Sequence, residues 1–236
     1  MIPTPIAADT QDRTVSPGVR KDLSEIRYFL AEDIRSARRY LGSLKIYDRI
    51  EDLSFSTLDK DTKGGEVAAL LSPIFGGHNV GILSESGCPG IADPGAIAVK
   101  HAHEKGIRVI PLTGPSAIFL ALMASGLNGQ HFAFHGYLPI KTAEAAKAIR
   151  EFERESRARN QTQIFIETPY RNNALFANLI RGLHPATLLC VAVDVTGRSE
   201  FISTREVGAW RAKTIELPKT PAVFLFLAGR PDEFLH

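Results

Sequence analysis

The sequence predicts an α/β protein with two α/β domains and mostly parallel sheets. Three observations carry this expectation. Short apolar runs, too short for helices and rich in β-branched or large apolar residues, recur along the chain. Helical patterns with recognisable starts and stops lie between them. A strand followed by a helical crossover and another strand favours parallel pairing, with helices on the sheet faces. The 236 residues, 44 % hydrophobic and 23 % charged, suit one large α/β domain or two small ones and exclude a mostly disordered chain.

In chain order, a polar opening leads into helical patterns over 23–41 and 66–74. Val80–Leu83 reads as a buried strand. Asp93 and Pro94 read as the N-cap and first residue of a helix that runs through Ala98 and Val99 to Lys105 and stops at Gly106. Residues 107–112 read as the next strand and 116–126 as the next helix. Thr142–Arg159 is a long charged helix, followed by a strand at 164–166 and a helix over 172–181 that ends at Gly182. Leu188–Val193 and Ala222–Leu227 complete the strands. The tight Thr113-Gly114-Pro115-Ser116 loop is the best boundary, giving domains 1–113 and 114–236. In open α/β sheets ligands bind outside the carboxyl ends of the strands, which directs attention to the loops after Leu83, Leu112 and Ile166.

Composition narrows the function classes. A net charge of +2 argues against bulk electrostatic capture of nucleic acid or membrane and leaves a local basic patch open. Two cysteines, Cys88 and Cys190, make no disulfide scaffold and read as reduced thiols of a cytoplasmic protein. No apolar stretch approaches the ~20 residues of a membrane span. The opening Met1-Ile2-Pro3-Thr4-Pro5-Ile6 has no basic n-region and no long apolar core, so no signal peptide is expected.

Four segments have the chemistry of a site. Ser84-Glu85-Ser86-Gly87-Cys88-Pro89-Gly90-Ile91-Ala92-Asp93-Pro94-Gly95 follows a strand and opens a helix, offering main-chain groups to a polar small molecule. A plain tight turn before a capped helix explains the same residues. Thr113 to Ala117 places Ser116 to cap the following helix; an ordinary helix start is the competing reading. Arg35, Arg38 and Arg39 share one helix face beside Glu32 and Asp33, suited either to phosphates or to a solvated surface. Glu167-Thr168-Pro169-Tyr170-Arg171 sets an acid, an aromatic and a guanidinium at a strand end, or forms a simple turn. Phosphate-loop and dinucleotide glycine patterns are absent from the sequence, so ATP and NAD binding are unsupported. No His, Cys, Asp and Glu cluster has metal-ligand spacing, and His101 and His103 flank Ala102 on different helix faces, so no metal is expected.

Taken in order, Thr4-Pro5-Ile6, Glu32-Asp33-Ile34-Arg35, the Ser84 to Gly95 loop, Pro111 to Ala117 with Leu120 to Gly126, Phe134-His135-Gly136-Tyr137-Leu138-Pro139 and Glu167 to Arg171 resemble the tetrapyrrole methylase superfamily. The resemblance is closest to its branch of ribosomal RNA small-subunit methyltransferases I. It implies two α/β domains with a ligand cleft between them, usually in a homodimer. It further implies S-adenosylmethionine as methyl donor and a cytidine ribose 2′-hydroxyl of 16S rRNA, in the small ribosomal subunit, as acceptor. By this likeness the donor is held by Pro5, Ser84, Glu85, Ser86, Gly87, Asp93, Thr113, Ser116 and Ala117, bordered by Glu167, Thr168, Pro221 and Ala222. Glu32, Asp33 and Glu167 are the candidate proton acceptors, and Arg35, Arg38, Tyr170 and Arg171 the candidate substrate contacts. The chain departs from the branch where Ala7-Ala8-Asp9 replace Gly-Asn, where Glu85, Ser86 and Cys88 enter the central loop, and at Val193-Asp194-Val195-Thr196-Gly197. The superfamily fold also admits a small-molecule, tetrapyrrole-like acceptor. The departures admit a non-catalytic donor-binding module.

Overall fold

Tyr28, Phe29, Leu30 and Ala31 form a strand, not part of the helix expected over 23–41. Phe29 and Leu30 are 1 % and 2 % exposed, so the strand is covered on both faces. A strand buried on both faces is apolar without alternation, and periodicity alone does not separate it from a buried helix.

The computed structural model describes residues 1–213 and 215–229. The chain divides into two units, Met1–Ser116 and Ala117–His236. The first unit contains α1 (Gln11–Thr14), α2 (Pro17–Ser24), β1 (Tyr28–Ala31), α3 (Ile34–Ser43), β2 (Ser54–Thr57), α4 (Gly64–Leu70), β3 (Val80–Leu83) and α5 (Ala96–Glu104). Its sheet has the order β2-β1-β3 and is parallel throughout, with Tyr28 opposite Ser54 and Val80. Phe29, Ala31 and Leu83 pack with Leu23 of α2 and Leu41 of α3. Leu30 and Ile82, on the opposite face, pack with Val67 of α4 and Ala98 of α5.

Three boundaries in this unit differ from expectation. The helix expected over 66–74 stops at Leu70, and Ser72–Gly76 forms a 3-10 turn, because Pro73 has no N–H with which to continue the α-helix. Asp93 and Pro94 do not start α5. Gly90 N–H donates to the Pro94 carbonyl (3.2 Å), and Gly95, at φ +135°, breaks into the helix two residues later. Residues 107–112 form no regular strand: they run extended beside Met1, which is too short a partner to build a ladder.

The second unit contains α6 (Ala117–Ser125), β4 (Phe132–Phe134), α7 (Thr142–Arg159), β5 (Thr162–Glu167), α8 (Asn172–Gly182), β6 (Leu188–Val193), β7 (Phe201–Glu206), α9 (Val207–Arg211) and β8 (Ala222–Leu227). Its sheet order is β4-β5-β8-β6-β7. β4 and β5 are parallel, and the β5–β8, β8–β6 and β6–β7 pairs are antiparallel. The α/β class holds, with one parallel sheet and one mixed sheet. Alternation along the strands divides the core. Phe165, Val191, Phe224 and Phe226 face Ile149, Leu179 and Trp210. Ile164, Cys190, Val223 and Leu225 face Ile118, Ala121 and Leu122 of α6.

Candidate functional site

Parallel register brings the ends of the first unit's strands together. Ala31 lies opposite Thr57 and Leu83, so Glu32, Asp59 and the Ser84 loop leave the sheet at one edge. The loops there are tied by main-chain bonds. Thr4 N–H donates to the Gly87 carbonyl (2.8 Å), and Gly87 N–H returns to the Thr4 carbonyl (3.2 Å). The Thr4 hydroxyl lies 3.4 Å from the Ser84 and Gly87 carbonyls, and the Ser86 hydroxyl donates to Ile6 at 3.4 Å. Gly87 holds φ +78°, a conformation that favours glycine, beside the Pro115 carbonyl. The Cys88 thiol donates to that same carbonyl at 3.3 Å. A Cβ on Gly114 would stand 2.0 Å from Pro3 Cβ, so the Thr113–Ser116 turn approaches the opening segment as only glycine allows. Pro5, Ser84, Ser86, Gly87 and this turn therefore share one edge of one unit. A cavity of about 320 Å³ opens there, lined by residues that include Pro5, Ser36, Arg39, Tyr40, Ser84 and Glu85.

Charge at this edge is acidic. Partial burial raises the Glu32 carboxyl above its ordinary value, and the charges of Asp93, Glu85 and Asp59 push the same way. Asp93 is also raised, mainly by burial; the Ser84 hydroxyl opposes the shift and Glu85 adds to it. Asp33 behaves oppositely. Its side chain caps α3 by accepting Ser36 N–H at 2.6 Å, and this bond holds its carboxyl below the ordinary value. Arg35, Arg38 and Arg39 are exposed on α3, but they are not equivalent: Arg38 lies 5.2 Å over the Phe55 ring, and Arg39 lines the cavity.

The second unit gathers its own candidates at one sheet end. Glu167 closes β5 opposite Ala222, and Pro221 accepts Asp194 N–H at 3.1 Å. The Glu167 side chain is buried. Its Oε1 accepts Thr168 N–H at 2.7 Å, and its Oε2 pairs with Arg171 Nη2 at 3.0 Å. Arg171 also reaches the Leu138 carbonyl at 3.5 Å, whereas Tyr170 is 86 % exposed. Glu167 ends a strand and Arg171 lies in the turn before α8, so the helical i, i+4 rule does not apply and their pairing was not legible from spacing. Asn172 was not legible: it is buried and donates to the Pro218 and Thr220 carbonyls, fixing the approach to β8. No sequence pattern marks that contact.

Among the described residues no group of three or more His, Cys, Asp or Glu side chains is placed to hold a metal ion. No described helix is long and apolar enough to cross a membrane.

No protein-family profile matches the chain. It is 31 % identical over 215 residues to ribosomal RNA small subunit methyltransferase I of Escherichia coli O157:H7, covering 89 % of this chain and 70 % of that protein. It is 31 % identical to the protein of the same name from Vibrio cholerae, with 100 % and 81 % covered. The Mycobacterium bovis protein of that name is 32 % identical, with 86 % and 70 % covered. The crystal structure of the methyltransferase CobJ aligns with a TM-score of 0.60 at 20 % identity, over 92 % of this chain and 95 % of that one, a likeness of fold.

Proposed function

The chain belongs to the ribosomal RNA small subunit methyltransferase I family, and on that premise we propose that it methylates a cytidine ribose 2′-hydroxyl of 16S rRNA with S-adenosylmethionine. The observation that carries the reading is the acidic, glycine-shaped edge formed by the Thr4–Ile6, Ser84–Asp93 and Thr113–Ser116 segments. The donor is a sulfonium bearing an ammonium group. Carboxylates at Glu32, Glu85 and Asp93 favour such cations, and main-chain groups of the Ser84–Gly87 loop suit its polar atoms. Pro5, Ser84, Glu85, Ser86, Gly87, Asp93 and Thr113 hold it, with Ser116 and Ala117 at the end of that turn. Bound there, the donor supplies an activated methyl group with its own leaving group.

The protein then has two tasks, to align the hydroxyl and to accept its proton. Glu32 accepts the proton. Its raised proton affinity brings it closer to a working base than an ordinary surface carboxylate, and nearby negative charge resists its staying ionised alone. Asp33, engaged as a helix cap, sets the backbone on which Glu32 stands. Glu167, paired with Arg171, orients Thr168. Arg35, Arg38, Tyr170 and Arg171 meet the phosphates and bases of the acceptor strand. The protein works in the cytoplasm as a homodimer. Sedimentation at micromolar concentration should give twice the chain mass, and a monomer at all concentrations removes that part.

Thermal melting with S-adenosylmethionine, S-adenosylhomocysteine, NAD and ATP in parallel tests the donor assignment. A ligand that binds only the folded state stabilises it by about 2.7 kcal/mol at a hundredfold excess over its Kd. Stabilisation by the two sulfur ligands alone is expected; a response to NAD and not to them overturns the assignment. Labelled-methyl transfer to purified 30S particles tests the acceptor. Label on a tetrapyrrole and none on the particles would replace it. Alanine at Thr168 should weaken the donor's effect on melting if Glu167, Thr168, Pro221 and Ala222 border it.

A further inference from the structure

Acids and bases alternate along the sequence of α7, and helical winding sorts them by side. At about 3.6 residues per turn, Lys147, Arg150, Arg154 and Arg157 fall within an arc of about 80°, along about 15 Å of helix. Glu144, Glu151 and Glu155 fall on a neighbouring arc. Glu153 lies on the other flank and is already engaged: its carboxylate accepts the His184 N–H at 2.7 Å and the Thr187 hydroxyl. The result is a narrow cationic stripe with acids on both sides.

All four cations are exposed. Lys147 reaches Glu151 at 4.0 Å, and Glu144 pairs with Lys141, outside the stripe, at 3.2 Å. Among the described residues, the Arg150, Arg154 and Arg157 side chains enter no ion pair or hydrogen bond. Arg150 and Arg154 stand at i, i+4, and Arg154 and Arg157 at i, i+3, spacings at which like charges on a helix repel. The opposite face of α7 holds the three in place against that repulsion. Ala145, Ile149 and Ser156 are buried, Ile149 packs with Phe165 and Leu179, and the Ser156 hydroxyl accepts the Ala228 N–H at 2.8 Å. A fixed row of arginines without acidic partners is a standing excess of positive charge, which an anion laid along it relieves.

We propose that this stripe binds the phosphates of a single RNA strand, a contact surface additional to Arg35, Arg38, Tyr170 and Arg171. The inference rests on the reading of the chain as an rRNA methyltransferase. Guanidinium forks pair with phosphate oxygens two at a time, and such contacts supply affinity and register without reading bases. The shape of the stripe favours a thread-like anion. A flat anionic membrane on this face would also meet the Glu151 and Glu155 carboxylates, and the exposed residues beside the stripe are Ala143 and Ala158, too small to insert among lipids.

The test uses the full chain carrying Arg150→Gln, Arg154→Gln and Arg157→Gln together, since glutamine keeps the helix while removing the charge. A control carries Lys21→Gln, Lys100→Gln and Lys105→Gln, which removes the same charge from exposed sites in the first unit. Binding to 30S particles is followed against salt, with methyl transfer measured alongside. The arginine variant should lose about 2 from the log–log salt slope, three phosphate contacts at roughly 0.7–0.9 each. Its KM for the particles should rise at least tenfold while kcat at saturation and the melting shift with S-adenosylmethionine persist. The lysine control should keep a slope closer to that of the unaltered chain. An unaltered slope in the arginine variant overturns the proposal, and so does an equal loss in the control, which would make the effect one of net charge. Flotation with phosphatidylserine vesicles that disappears in the arginine variant, with particle binding unchanged, overturns it in favour of a membrane. If the unaltered chain neither binds nor methylates the particles, the rRNA reading itself fails; if it does both and the arginine variant matches it, only the stripe is refuted.

Discussion

Glu32 and Asp33 are adjacent in sequence and opposite in proton affinity, because one is partly buried beside other carboxylates and the other accepts a backbone N–H. Glu32→Gln should lower kcat at least tenfold while the melting shift with S-adenosylmethionine persists; unimpaired turnover removes Glu32 from the mechanism. The two residues also leave opposite marks on stability. Between the ordinary carboxylate value and the raised value of Glu32, the folded state keeps a proton that the unfolded chain releases, so stability falls as pH rises through that window. Glu32→Gln should flatten this part of a denaturation series against pH. Asp33 contributes stability that is present above its unfolded value and is lost as pH falls through its depressed folded value. Asp33→Asn keeps a capping oxygen and cannot titrate as Asp33 does, so it should remove that acid-side loss; an unaltered acid limb refutes the cap as its source. At this scale the residue types of the candidate site were legible, since Glu32, Asp33 and Arg35 stand in one short segment. Their division of labour was not, because it depends on Ser36 N–H and on Asp93, which lies 61 positions beyond Glu32 in the chain.

Strands buried on both faces explain which elements were legible. Val80–Leu83, Leu188–Val193 and Ala222–Leu227 are apolar runs bounded by polar or turn residues, and all three are strands. β1 is of the same kind but lies between helical patterns, so it merged with them in the sequence. β2 and β7 escaped notice for the opposite reason: Ser54–Thr57 and Phe201–Glu206 are edge strands with exposed or half-exposed polar residues, held by ladder bonds that composition does not reveal. β8 lies inside its sheet, with Phe226 fully buried and its ring stacked 5.6 Å from that of Phe165. Phe226→Ala should cost about 3–5 kcal/mol in urea unfolding, as a large cavity opens where neighbours cannot collapse. A loss below about 1 kcal/mol would mean that β8 is not the packed centre of the second unit. Asn172→Ala leaves the Pro218 and Thr220 carbonyls without their donor and should cost about 1–3 kcal/mol.

For the whole molecule, a net charge of +2 gives little attraction at long range, so the proposed binding to rRNA would have to come from local contacts. Affinity for 30S particles should fall linearly in log–log form with salt, and Arg35→Ala should reduce that slope by about 1 if Arg35 meets one phosphate. A slope unchanged in the variant places Arg35 outside the interface. The alternation of apolar runs with capped helices determined the α/β class by itself, because burial on a sheet or under a helix face imposes its period on neighbouring residues. The order of short motifs likewise determined the family. The tertiary structure alone decided the mixed pairing of the second sheet and the raised acid at Glu32. Each of these depends on atoms brought together from distant positions in the chain, and hydrogen bonds and charges act over a few ångströms of space whatever their separation in sequence.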